Sequence, residues 1–359
     1  QQYVQYGESV SSMSYIQTGV PQGSILGPLL FIIYMNDIAA VTNKFHFTLY
    51  ADDTSLLEPI CSFAVESSED YASISKNINN ELKLITNWLS LNKLSLNAKK
   101  TKMMVFHHKQ KNVCTTSLKL YINSKKIECV KEFNFLGVML DENLSWKPHV
   151  QKISGKIAGV AGTLSRLKRF LPQNILKTIY NALIQPHLNL GVLLWGINIG
   201  RIYKLQKWAV RAITSSKYNS HTSPIFKELK ILRIHELYKL NILKFYFKYK
   251  KNMLPAYFQG MFNEVFLTHN HDTRNKSEPV PGLWKSIAAK NSIRFAIPAA
   301  IAIAPTDILE KINLDNIKLP SFSKTAKFLF LDEYKTECVI KNCYVCNEIE
   351  QKSNSPEST

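Results

Sequence analysis

The feature that most constrains this chain is a pair of adjacent carboxylates, Asp52 and Asp53, between two apolar runs. Apolar residues alternate with others before the pair and resume after it: Phe45, Phe47, Leu49, Leu56 and Leu57. Alternation of this kind is the period of a half-buried strand. The pattern predicts a β-hairpin with Asp52 and Asp53 at its tip. By itself, the dipeptide is more typical of an ordinary turn, because Asp is a common turn residue.

Two like charges this close repel each other and are stabilised by a cation. Carboxylate oxygens are the ligands that hard divalent cations such as Mg²⁺ prefer. The pair is therefore a candidate magnesium site, and its neighbours in the sequence decide between this interpretation and a plain turn.

A loop rich in glycine and proline lies upstream of the carboxylates. It contains Gly19, Pro21 and Gly23, as expected for a tight loop. Residues 24–35 are then apolar almost without interruption. They predict a helix from about Ser24 that is buried on most sides.

The remaining patterns predict short strands in the first 144 residues and helices after them. The strands are expected at 94–96, 102–106 and 133–140, with a hairpin turning at Asn123 and Ser124. Helical spacing of apolar residues runs from Ser67 to Leu89 and from Val150 to Leu167. Further helices are predicted over Gln173–Ile184, Arg201–Thr214 and Ile225–Lys251.

The positive charge of the chain is concentrated in one segment. The net charge is +18, and residues 151–251 contain 19 Lys and Arg against two Asp and Glu, a net charge of +17. A local excess of this size indicates a polyanionic partner, with nucleic acid first. The alternative is a solvated basic face. The candidate contacts on the predicted helices are Lys152, Lys156, Arg166, Lys168, Arg169, Arg201, Lys204, Lys207 and Arg211.

The six cysteines form no evident disulfide framework, so reduced thiols in an intracellular protein, cytoplasmic or nuclear, are expected. No apolar run near the start is long enough to span a bilayer, and we expect no membrane partner. Cys338, Cys343 and Cys346 include a metal-ligand spacing, which makes Zn²⁺ a candidate, although free thiols are the default interpretation. The first residue is Gln1, and the chain is interpreted as a fragment. The polar residues 351–359 are expected to be disordered.

Three motifs in one order resemble a known family. Residues 19–30 (GVPQGSILGPLL), Tyr50-Ala51-Asp52-Asp53 and Phe135-Leu136-Gly137-Val138 are similar to the reverse transcriptases of non-LTR retrotransposons, in particular the jockey-like arthropod branch. Group II intron maturases share the acidic box, but they usually continue differently after Pro-Gln-Gly. The resemblance covers about residues 10–250.

The resemblance implies a DNA polymerase that copies an RNA template from a DNA primer, using deoxynucleoside triphosphates and two Mg²⁺ ions. Asp52 and Asp53 would be the catalytic and metal-binding residues. Contacts to nucleotide and template would come from Gly19, Pro21, Gln22, Gly23 and Tyr50. A primer grip would comprise Phe135, Leu136 and Gly137. Lys99, Lys100 and Lys102 are candidate proton donors to the leaving pyrophosphate, although a solvated loop is an equal alternative.

The implied fold is α+β. Residues 1–144 would form a partial polymerase palm, an antiparallel sheet with helices that lacks the fingers. Residues 145–255 would form an all-helical basic thumb, and 256–350 a less regular C-terminal region. Polymerases of this family use a third carboxylate on an upstream strand, whereas only Glu8 and Asp37 precede Asp52 here. The magnesium site is therefore expected to be incomplete and the chain alone inactive. The alternative function is a non-catalytic nucleic-acid-binding remnant of a mobile element.

Overall fold

The computed structural model describes residues 3–15, 19–21, 23–60, 68–110, 117–197, 199–259, 311–312 and 317–332. These residues combine helices with small two-stranded sheets, which confirms a mixed α+β class. The chain divides into two compact units, Gln1–Val130 and Lys131–Thr359. None of the helices in these ranges is both long and apolar enough to cross a membrane.

The first unit contains most of the strands. Its strands are β1 (Gln5–Tyr6), β2 (Ser9–Val10), β3 (His46–Tyr50), β4 (Asp53–Leu57), β5 (Lys102–Met103), β6 (Tyr121–Ile122), β7 (Lys125–Lys126) and β8 (Glu128–Cys129). Its helices are α1 (Leu26–Met35), a 3₁₀ helix at Asn36–Ala40, and α2 (Ser68–Leu91). The pairs β1–β2, β3–β4 and β6–β7 are antiparallel, and β5 pairs with β8 in parallel.

The core of the first unit forms against one face of α2. The buried residues of this helix recur at three- and four-residue spacing, as predicted: Ile78, Leu82, Ile85 and Leu89. They belong to one apolar cluster with Phe45, Leu120 and Ile122. The Asn79 side chain joins α2 to the edge of β6, since it donates to the Lys119 carbonyl (2.9 Å) and accepts from the Tyr121 N–H (2.8 Å).

Helix α1 differs from the prediction of a helix buried on most sides. Of its residues only Met35 is buried, whereas Leu26 is 61 % and Ile33 is 63 % exposed. An all-round apolar sequence predicts burial only if other elements surround the helix. Among the described residues of the first unit, none covers the outer faces of α1, so a contiguous apolar surface remains in contact with solvent.

The second unit begins with a hairpin and continues as helices. Its strands are β9 (Glu132–Phe135) and β10 (Val138–Asp141). Its helices are α3 (Lys147–Leu167), α4 (Gln173–Leu183), α5 (Gln185–Asn189), α6 (Val192–Trp195), α7 (Gly200–Ile213), α8 (Thr222–Leu229), α9 (Ile234–Lys250) and α10 (Leu319–Asp332), with a 3₁₀ helix at Ala256–Phe258. One apolar core includes residues from all the helices from α3 to α10.

Three predicted elements are wrong in detail. Residues 133–140 form two strands instead of one, because Leu136 and Gly137 both have positive φ and make a turn. Residues 225–251 form parts of two helices, because Lys230 adopts the left-handed conformation that ends α8. Residues 94–96 form no strand. The other predicted helices are present within a few residues of their predicted ends.

Two polar groups fix the ends of helices in the second unit. The buried Asp141 carboxylate accepts hydrogen bonds from the N–H groups of Ser145 and Trp146, each 3.0 Å long, just before α3. The fully buried Gln206 amide donates to the Tyr180 hydroxyl and the Leu232 carbonyl, and its oxygen accepts from the Ile234 N–H, each at 2.9 Å. Gln206 therefore ties α7 to α4 and to the first residue of α9.

Candidate functional site

The acidic pair lies at the tip of the β3–β4 hairpin, as predicted. Tyr50 pairs directly with Asp53, which leaves Ala51 and Asp52 as a two-residue turn. Ala51 has a φ of 50°, the left-handed conformation that tight hairpin turns favour. Asp53 is thus the first residue of β4, and Asp52 is a turn residue. Both carboxylates are exposed at one end of the sheet.

The opposite end of this hairpin is anchored in the core of the first unit. Phe45 is buried and its ring lies edge-on to Phe47, with centroids 6.5 Å apart. Phe47 and its cross-strand partner Leu56 pack against the same apolar cluster. A hairpin held at its base by aromatic packing keeps its tip in a defined position, and a binding site needs this rigidity.

The donor chemistry of the tip fits Mg²⁺, but the number of donors does not complete a site. Asp52 and Asp53 provide carboxylate oxygens, which Mg²⁺ prefers. Among the described residues, no group of three or more His, Cys, Asp or Glu side chains is placed to hold a metal ion. The two carboxylates would therefore contribute ligands to a metal that also needs others.

The glycine-rich loop leads directly into α1. Gly19 and Gly23 have φ values of +80° and +88°, which side chains with a Cβ rarely adopt. The Ser24 N–H donates to the Pro21 carbonyl (3.1 Å), and the Ser24 hydroxyl accepts from the Gly27 N–H (3.1 Å). The loop therefore has a specific conformation that caps the helix. Gln22 lies outside the described residues.

The three candidate proton donors differ in their surroundings. Lys99 and Lys100 are exposed in a turn, whose backbone is held by hydrogen bonds from the N–H groups of Lys100 and Thr101 to the Asn97 carbonyl. Lys102 lies in β5 and forms an ion pair with Glu128 (Nζ–Oε2 2.5 Å). The side chains of Lys99 and Lys100 are therefore more accessible to solvent than that of Lys102.

The residues that resemble a primer grip form the β9–β10 turn in the second unit. Phe135 is the last residue of β9, and Leu136 and Gly137 have φ values of +46° and +88°. A Cβ on Gly137 would also approach the Leu190 side chain to 3.0 Å. This close approach and the positive φ both favour glycine at position 137.

The basic residues of α3 and of the turn that follows it are mostly exposed. Lys156, Arg166 and Arg169 are exposed, and Lys168 is half-buried. The Lys152 ammonium donates to the Asn134 side-chain oxygen (2.8 Å). Lys152 and Arg166 are separated by about 20 Å along the helix, at roughly 1.5 Å per residue.

The basic residues of α7 are of two kinds. Arg201 and Lys204 are exposed. Lys207 and Arg211 are half-buried and held by neighbours: the Lys207 ammonium lies 4.3 Å from the centre of the Tyr203 ring, and the Arg211 guanidinium donates twice to the Ser220 carbonyl (3.0 and 2.9 Å). The predicted basic face of α7 is present, and half of it is fixed in place.

Sequence patterns missed several polar residues that the structure places around α7, among them Tyr203, Arg233 and His235. Tyr203 looks like a core residue of an amphipathic helix, and Arg233 and His235 fall within the segment predicted as one continuous helix. No local signal distinguishes them. The three cysteines that suggested zinc, Cys338, Cys343 and Cys346, lie outside the described residues.

Comparisons with known proteins find relatives for the part of the chain that contains the acidic hairpin. The family described as reverse transcriptase (RNA-dependent DNA polymerase) matches residues 1–140. The chain is also 25 % identical over 247 residues to the probable RNA-directed DNA polymerase from transposon X-element of Drosophila melanogaster, covering 65 % of this chain and 26 % of that protein. It is 27 % identical over 241 residues to the RNA-directed DNA polymerase from mobile element jockey of Drosophila funebris, covering 62 % of this chain and 25 % of that protein.

The chain spans about a quarter of the length of these curated relatives. The matched segment contains the glycine-rich loop, the acidic hairpin and the Phe135–Gly137 turn. The resemblance read from the three motifs is confirmed. Residues 1–140 therefore match the reverse transcriptase family, and the chain is similar over roughly 62–65 % of its length to the RNA-directed DNA polymerases of jockey-type mobile elements.

Proposed function

We propose that this chain supplies the acidic hairpin and a nucleic-acid-binding helical unit to an RNA-directed DNA polymerase of a non-LTR retrotransposon. The observation that carries the proposal is the β3–β4 hairpin, which exposes Asp52 and Asp53 at a rigid tip within the segment that matches the family. In this proposal, residues 1–144 are part of the palm and residues 145–255 are the thumb.

Asp52 and Asp53 would hold Mg²⁺ in a two-metal site. Bound Mg²⁺ neutralises charge on the attacking and leaving oxygens of nucleotidyl transfer. Because phosphoryl transfer depends mainly on positioning and charge neutralisation, the task of the hairpin is to hold both carboxylates in a defined place. Gly19, Pro21, Gln22 and Gly23 would lie along the nucleotide and template, together with Tyr50.

The leaving pyrophosphate needs a proton, and an exposed lysine is a suitable donor. Lys99 and Lys100 are better candidates than Lys102, whose ammonium is paired with Glu128. The RNA template and DNA primer would contact the exposed basic residues of α3 and α7, where the excess positive charge lies.

A third carboxylate is required to complete the site. Glu8 and Asp37 are the only acidic residues before Asp52 in the sequence, and the described residues place no third acidic group at the hairpin. We therefore expect the 359-residue chain alone to bind duplex but to incorporate few or no nucleotides.

The alternative is a nucleic-acid-binding protein without catalytic activity. Both functions predict binding of an RNA–DNA duplex that weakens steeply with salt, because the basic residues displace counterions. Only the enzyme predicts that Asp52 matters for turnover once the site is complete.

The test is a chimera of the jockey polymerase in which the aligned segment is replaced by this chain. We expect RNA-templated primer extension that requires Mg²⁺ and is lost in Asp52→Asn, while the matched Asp37→Asn chimera remains active. Extension that survives Asp52→Asn would contradict the proposal. Robust extension by the 359-residue chain alone would instead contradict the need for a third carboxylate.

A further inference from the structure

Several positively charged side chains lie near Tyr203 in the second unit. Tyr203 lies on α7, and its ring stacks on Phe226 of α8 (centroids 6.4 Å apart, interplanar angle 22°). The His235 ring of α9 meets it edge-on at 5.4 Å. Three helices therefore meet at this aromatic ring.

One cation lies over the Tyr203 ring, and others lie near it. Lys207 places its ammonium 4.3 Å from the ring centre, and the charge of Arg233, which is paired with Glu236, acts on Tyr203. Arg211 is fixed one turn further along α7 by its two hydrogen bonds to Ser220. We call Tyr203, Lys207, Arg211, Arg233 and His235 the Tyr203 cluster.

Protein carboxylates balance only part of the positive charge at this cluster. The cations whose charges act on Tyr203, Lys207 or His235 are Lys204, Lys207, Arg211, Arg233 and Lys239. Among the described residues, the one carboxylate that does so is Glu236, which pairs with Arg233. Like charges gathered in a half-buried place destabilise the fold unless an anion joins them.

The effect of this imbalance is visible in the ionisation of the cluster. Burial, followed by the charges of Arg211, Lys204 and Arg233, lowers the pKa of Lys207. Burial and then Arg233, Lys239 and Lys207 lower the pKa of His235 well below its ordinary value. An anion bound nearby would reverse the electrostatic part of both effects.

We propose that the Tyr203 cluster is a binding site for a phosphate group. The ligand fits because Arg and Lys donors in fixed positions recognise phosphate oxygens through charge-assisted hydrogen bonds. A solvated basic face has loose side chains, whereas here the aromatic ring, Ser220 and Glu236 hold three of the cations before any ligand arrives. Such preorganisation reduces the entropy that binding would otherwise cost.

The phosphate can belong to a nucleic-acid backbone or to a free phosphate compound. The first source rests on the proposed function, since it makes the cluster a phosphate contact of the primer–template duplex. The site itself depends only on the described side chains, so failure of the chimera to extend a primer would leave it standing.

The experiment compares Lys207→Met with a matched control, Lys177→Met on α4, in the 359-residue chain. Methionine keeps the length of the side chain and removes its charge. The probes are inorganic phosphate at constant ionic strength, followed by thermal unfolding, and an RNA–DNA duplex, followed by titration at several salt concentrations. Lys207→Gln, which also removes the charge but keeps a polar group, is a second test variant in case Lys207→Met alters packing.

Inorganic phosphate is expected to raise the unfolding temperature of the wild type and of Lys177→Met, with a much smaller effect on Lys207→Met. For a backbone phosphate, Lys207→Met weakens duplex binding about tenfold, as expected for one charge-assisted hydrogen bond, and lowers the salt slope by about one. If only the response to inorganic phosphate is lost, the ligand is a free phosphate compound. If neither Lys207→Met nor Lys207→Gln differs from Lys177→Met with either probe, the proposal is wrong.

Discussion

Gln206 is the residue whose replacement best tests how the second unit holds α7. Gln206→Met keeps the size and unbranched shape of the side chain but removes three hydrogen bonds, to the Tyr180 hydroxyl, the Leu232 carbonyl and the Ile234 N–H. Gln206, Tyr180 and Ile234 are fully buried, so water cannot replace the lost partners.

The magnitude follows from the number of groups left unpaired. A buried polar group without a partner costs about 1–3 kcal/mol. Tyr180 can reorient its hydroxyl, so two backbone groups dominate, and we expect a loss of about 3–5 kcal/mol. That is a large part of the roughly 5–15 kcal/mol that stabilises a typical domain.

Hydrogen exchange read by mass spectrometry is the suitable assay, because it reports the stability of each unit separately. Amides in α7 and α9 should lose protection in Gln206→Met, whereas those of α2 in the first unit should not change. The control is Tyr180→Phe, which keeps the Gln206 bonds to Leu232 and Ile234 but leaves one amide hydrogen of Gln206 unpaired, and it should cost about 1–3 kcal/mol. A loss below that of the control in Gln206→Met would refute the role assigned to this amide.

Two further predictions concern the start of the second unit. Burial, followed by the charges of Lys152 and His187, lowers the pKa of His149. The unfolded state therefore binds more protons than the folded state, and the free energy of unfolding should fall as the pH drops through about 6.5. His149→Asn should flatten that fall, as measured by thermal unfolding at several pH values. An unchanged slope would contradict it. Asp141→Ala removes the acceptor for two N–H groups before α3 and should lower the free energy of unfolding by about 1–2 kcal/mol in urea titrations. Asp141→Asn should have a stability between those of the wild type and Asp141→Ala. Equal stability of all three proteins would exclude the capping role.

The acidic hairpin was predictable because alternation of apolar residues has the same period as a strand. The turn itself could also be predicted, because Asp is a residue type that often forms turns. The structure refines the prediction by placing Asp53 in β4, opposite Tyr50, instead of in the turn.

The failures have separate physical causes. Helix α1 was predicted to be buried because its residues are apolar on all sides, but burial depends on neighbours that composition does not reveal. The break at Lys230 was missed because the sequence there has no Gly or Pro, the residues that usually mark the end of a helix. Lys230 instead adopts the left-handed conformation, at a cost of about 1–2 kcal/mol. Tertiary packing decides both outcomes.

The Tyr203 cluster shows a further limit of sequence patterns. Helical spacing correctly brings Lys204, Lys207 and Arg211 to one side of α7. It does not show that Arg233 and His235 join them, because their approach depends on how α9 packs against α7. Contacts between helices that are distant in sequence could therefore not be predicted. The local excess of basic residues could be predicted from the sequence.

Asp52 is proposed to be a metal ligand, and its replacement by cysteine tests this proposal most directly. A thiolate is a poor ligand for Mg²⁺ and a better one for softer ions such as Mn²⁺ or Cd²⁺. In the jockey chimera, Asp52→Cys should abolish RNA-templated extension with Mg²⁺ and regain part of it with Mn²⁺ or Cd²⁺, while Asp52→Ala stays inactive with every ion. If extension by Asp52→Cys is the same with all the ions, or Asp52→Ala is rescued equally, Asp52 does not bind the catalytic metal.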